Sequence, residues 1–64
     1  MRTFIEVFDT KNGESHTSNA GLLTGPEARR DALLTAERLF PRSKKEYRPV
    51  CALGTRVALV VVRP

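Results

Sequence analysis

The chain has one cysteine, one histidine and no tryptophan in 64 residues. A lone cysteine, Cys51, excludes a disulfide framework. With His16 as the single histidine, a Cys/His zinc site is excluded as well. The longest apolar run, Val57 to Val62, is far too short to span a bilayer. The N-terminal stretch Met1-Arg2-Thr3-Phe4-Ile5-Glu6 turns charged too early for the apolar core of a secretory signal. The expectation is a soluble, cytoplasmic protein with no membrane partner. A free thiol fits such a reducing compartment.

Length sets the next limit. One domain, residues 1–64, is all that such a chain can build. A domain of this size buries only about 60% of its unfolded surface and is marginal alone. Disulfide and metal staples being excluded, association with a second copy is the remaining way to add buried surface.

What is present reads as a small α+β domain. Thr3 to Asp9 is strand-like, with Phe4 and Phe8 in one register and Ile5 and Val7 in the other. Asn12-Gly13 is a strong hairpin signal, because both residues tolerate positive φ. Glu14 to Ser18 would return as a polar edge strand, and its composition equally suits a loop. Thr24-Gly25-Pro26-Glu27 has the form of a capping box with proline in the first turn. The helix it opens should run from Pro26 to Phe40, where Pro41 stops it. Ala28, Ala32, Leu33, Ala36, Leu39 and Phe40 share one arc and should face a sheet. Leu34 stands alone on the opposite, charged face.

Arg42 to Glu46 reads as a basic connector, Tyr47 to Leu53 as a third strand, and Arg56 to Arg63 as a fourth, after a turn at Gly54-Thr55. Pro49 cannot donate to a ladder, so the third strand belongs at an edge or starts late. The expectation is ββαββ, or βαββ without the second strand. The sheet should be mostly antiparallel, ordered 2-1-4-3, with one helix on one face. The fourth strand is apolar in both registers and so calls for cover on both faces. A homodimer is expected, either sheet against sheet or by extension across an edge.

No acid, base and nucleophile converge, and the expectation is a non-enzyme without cofactor. Ser15 and His16 are adjacent in a strand and so point to opposite faces. Cys51 lies among Val50, Ala52 and Leu53 and reads as a buried structural thiol. Glu6, Asp9 and Glu14 do not have the spacing of a calcium loop. Gly21 and Gly25 before a helix resemble a phosphate-binding turn only in part, for no Gly-Lys-Ser/Thr follows.

Charge carries the functional expectation. Residues 38–48 hold Arg38, Arg42, Lys44, Lys45 and Arg48 against Glu46 alone. The remaining residues hold six cations and six acids, so this segment contains the entire net charge of +4. Clustered cations beside Tyr47, whose ring can stack on a base, point to nucleic acid or a nucleoprotein as partner. The alternative is a small protein-binding inhibitor or adaptor of the kind phages and mobile elements carry. It would act through the helix surface at Leu34 and Arg30, or through the sheet at Val60 and Val62.

Overall fold

A computed structural model describes all 64 residues. The elements follow the order β1 (Arg2–Asp9), β2 (Glu14–Asn19), α1 (Gly25–Leu39), β3 (Lys44–Tyr47), β4 (Val50–Ala52) and β5 (Thr55–Arg63). They form a small α+β domain, with one mostly antiparallel sheet ordered β2-β1-β5-β3 and β4 also paired to β5. The two apolar strands, β1 and β5, are central and run parallel. Parallel neighbours need a long crossover between them, which α1 supplies.

Local chemistry explains most boundaries. In the β1–β2 turn the Gly13 N–H donates to the Asp9 carbonyl at 2.8 Å, with Gly13 at a φ of 75°. Thr24 caps α1. Its Oγ1 accepts from the Glu27 N–H at 3.4 Å, and its own N–H donates to Glu27 Oε1 at 3.1 Å. The Thr24 hydroxyl also donates to Glu27 Oε1 at 2.7 Å. The hydroxyl bond and then the backbone bond hold the Glu27 carboxyl below its ordinary value of 4.5.

The helix rests on the sheet through Ala28, Ala32 and Ala36, all fully buried. Alanine at i, i+4 and i+8 lets its backbone approach closely. Beneath lie Ile5 and Val7 of β1 and Ala58, Val60 and Val62 of β5. Thr3 completes this floor, and its hydroxyl donates to the Leu23 carbonyl at 3.0 Å. Val60 and Val62, expected at a protein interface, are therefore wholly enclosed between sheet and helix. The register on the other side of β5 is Val57 and Leu59, both half-buried, and Val61, which is buried.

The expected third strand is two strands. β3 starts at Lys44, inside the expected connector, and ends at Tyr47; the Arg48 N–H still donates to the Leu59 carbonyl at 2.8 Å, and pairing lapses at Pro49. It resumes in β4, where Val50, Cys51 and Ala52 lie opposite Val57, Arg56 and Thr55. Pro49 has no N–H to continue the ladder, which accounts for the break. The β4–β5 turn is Leu53-Gly54, one residue earlier than expected, and both residues have positive φ, at 51° and 77°. That is the backbone of a tight hairpin turn. Cys51, expected to be buried, is exposed, because β4 is a short edge strand and the fully buried part of α1 begins only at Ala28. Leu39, expected in the buried arc, is also exposed. No helix is long and apolar enough to cross a membrane.

Candidate nucleic-acid interface

Strand alternation divides the basic segment. Lys45 and Tyr47 point to the helix side of β3, and Lys44 and Glu46 to the other. Lys45 Nζ lies 2.8 Å from Glu37 Oε2, and its side chain is only 12% exposed. It ties β3 to α1 and is not free for a phosphate. Tyr47 is half-buried against the core, with the Arg29 guanidinium 5.6 Å from its ring centroid. Arg48 and Arg63 lie 3.6 and 3.5 Å from the Glu46 carboxylate. These two exposed pairs are worth little and exchange readily for another anion. Arg38 on α1, Arg42 in the turn and Lys44 on β3 are exposed and have no acidic partner within ion-pair distance.

Although this divides the expected patch, the fold gathers other cations beside it. A cleft of about 440 Å³ opens between the start of α1 and the β3–β4 edge. Gly25, Pro26, Arg29, Tyr47, Pro49, Val50, Cys51 and Arg56 line it, with no carboxylate among them. Arg56 lies on the helix side of β5, where it donates to the Leu23 carbonyl at 3.2 Å. A side-chain carbon on Gly25 would sit 3.7 Å from its guanidinium, so the helix start packs directly on this group. Arg29 is held over Tyr47 by cation–π attraction. Neither arginine has an acidic partner. The nearby Glu27 carboxylate is engaged by the helix cap.

Arg29 and Arg56 are 27 positions apart, and sequence reasoning missed their meeting. The one available signal was the place of Arg29 on the helix, where at 100° per residue it falls inside the buried arc, between Ala36 and Phe40. Charge over the whole molecule follows the same division. Residues 42–64, which form β3, β4 and β5, hold six cations against Glu46, whereas residues 1–41 hold five against six acids. The opposite edge, β2, has no cation at all.

The remaining candidates lie elsewhere. Leu34 is 49% exposed, and with Pro26, Arg29, Arg30, Leu33 and Glu37 it lines a shallow groove along α1. His16 is exposed on β2 and sits edge-on to Phe40, with ring centroids 5.9 Å apart. The Cys51 thiol contacts the Met1 sulfur at 3.7 Å. No family model, curated protein or solved structure matches this chain.

Proposed function

We propose that this chain is a non-catalytic nucleic-acid-binding protein whose contact surface is the β3–β4 edge and its cleft. The observation that carries the reading is the pair Arg29 and Arg56. They converge on one cleft beside Tyr47 with no acid to neutralise them. Guanidinium groups suit phosphate because their planar donors engage two oxygens at once. Arg42, Lys44 and Arg48 extend the positive field along the same edge of the sheet, Lys44 from the face opposite the cleft. Lys45 has a structural part and is left out of the binding set. Val50 and Pro49 give the cleft apolar walls, against which a sugar or base can rest. Affinity of this kind comes mainly from release of counterions and is indifferent to sequence. A cytoplasmic setting fits, since an exposed free thiol such as Cys51 persists as a thiol under reducing conditions.

The test is fluorescence anisotropy with short single- and double-stranded DNA and RNA at several salt concentrations. Micromolar binding that weakens linearly in log salt supports the reading. No binding at low salt removes it.

The exposed Leu34 favours a second reading, a protein contact along α1 with Arg30 at its rim. Leu34→Glu would abolish capture of such a partner while leaving nucleic-acid binding intact.

A further inference from the structure

Arg56 is set back from the edge of the sheet. It belongs to β5, and its neighbour in the edge strand β4 is Cys51. One strand spacing, about 4.8 Å, therefore separates its backbone from the rim. Its guanidinium is drawn inward, donating to the Leu23 carbonyl at 3.2 Å and lying against the helix start at Gly25. A guanidinium has five N–H donors, and that bond uses one of them. Arg29 reaches the same cleft from α1. Arg42, Lys44 and Arg48, by contrast, stand exposed outside it. With the helix start in contact with Arg56, the cleft is a recess closed on its inner side.

We infer, building on the nucleic-acid reading above, that this recess holds the terminal phosphate of a strand rather than a phosphate within it. Position is the first argument. A backbone running along the edge passes Arg42 and Arg48, whereas Arg56 is reached by a group that projects inward, which a chain end does. Charge is the second. Glu27, the acid closest in sequence, bonds back to Thr24 and lines the neighbouring groove with Arg30 and Leu34. Glu37 is held by Lys45, and Glu46 is on the other face of β3. Two guanidinium charges are thus left for one ligand. A phosphomonoester at a chain end carries a charge of about −1.5 to −2 at pH 7. A phosphodiester within a strand carries a single charge.

The chemistry of the walls agrees. A terminal phosphate offers three oxygens, enough for two guanidinium forks to engage bidentately by sharing one, and an internal phosphate offers two. The recess gives a base no aromatic platform, because the Tyr47 ring is already engaged by Arg29 and packs on the core. Pro49 and Val50 supply apolar walls for the terminal sugar. A volume of about 440 Å³ suits one small group and not a run of nucleotides. The exposed cations of the edge then receive the phosphates that follow.

The test compares one internally labelled oligonucleotide in three forms: with a 5′-phosphate, with a 3′-phosphate, and with hydroxyls at both ends. Anisotropy is read at about 150 mM salt, where exposed charges are screened. One phosphorylated form should bind at least about ten-fold tighter than the hydroxyl-ended form, and which one it is identifies the end. Arg29→Gln and Arg56→Gln should each abolish that preference while weakening the hydroxyl-ended form only a few-fold. Arg42→Ala, outside the recess, should weaken all three forms alike. Arg56→Gln also loses the bond to Leu23, so circular dichroism checks its fold. Arg29 is exposed on α1, and its variant tests the recess without that bond. Equal, salt-sensitive binding of the three forms overturns the inference and leaves the functional reading standing. A preference that survives in Arg29→Gln overturns it too. Absence of binding by every form at low salt removes both.

Discussion

The two edges of the sheet solve one problem in different ways. Each has unpaired backbone groups that could recruit another strand. β2 meets this with polarity alone, six exposed residues with no large apolar side chain and no cation. The other edge is interrupted at Pro49, bent into β3 and β4, and lined with positive charge. The break has a consequence beyond protection. It carries β4 past the end of β3 and opens the cleft into which Arg29, Tyr47 and Arg56 converge. An edge that is merely polar is inert, whereas one that is broken and charged has somewhere to hold a ligand.

Removing the charge should erase this difference. Arg29→Glu/Arg56→Glu is expected to lower nucleic-acid affinity about 100-fold at low salt and to flatten its salt dependence. Anisotropy titrations at several salt concentrations check both. The next largest effect falls on the helix that positions Arg29. Thr24→Ala removes the cap and should cost about 1 kcal/mol, read from urea denaturation. Acid should act on the same cap. The Glu27 carboxyl is depressed in the folded chain, so its contribution is present above its ordinary value of 4.5. It is lost as pH falls through the lower native value. Melting temperatures followed from about pH 6 to about pH 2 should drop less for Glu27→Gln than for the wild type.

Smaller changes sharpen the contrast between free and engaged cations. Arg42→Ala should weaken binding only a few-fold, lowering the salt slope by about one. Lys45→Ala should leave that slope unchanged, because Glu37 already holds the ammonium. Its effect is expected in stability instead. The smallest effect is at Leu53, whose φ of 51° strains a branched side chain. Leu53→Asn should stabilise the turn by about 0.5 kcal/mol, measured as a shift in denaturation midpoint.

The parts legible in the sequence are those where neighbouring residues determine the outcome. Asn12-Gly13 closes the first hairpin, and Thr24 with Glu27 and Pro26 opens the helix. Ala28, Ala32 and Ala36 declare the buried face, and the central place of β1 and β5 follows from their apolar runs. The illegible parts need information from across the fold. β5 is apolar at every position from Val57 to Val62, so alternation alone could not say which register lies under the helix. The pairing with β1 and the cover of α1 decide it, which is why Val60 and Val62 are buried and Leu59 is not. Lys45 and Tyr47 looked like neighbours of Lys44 and Arg48 until strand geometry sent them to the helix side. The meeting of Arg29 and Arg56 depends on the crossover that brings β5 beside β1. Cys51 looked buried from its apolar neighbours, yet those neighbours are themselves at an edge.

The central claim is that the broken, basic edge binds nucleic acid through Arg29 and Arg56. Salt-dependent anisotropy of the wild type beside Arg29→Glu/Arg56→Glu tests it most directly. The account predicts micromolar, salt-sensitive binding by the wild type and its loss in the variant. Equal binding by the two proteins, or none by the wild type at low salt, would contradict it.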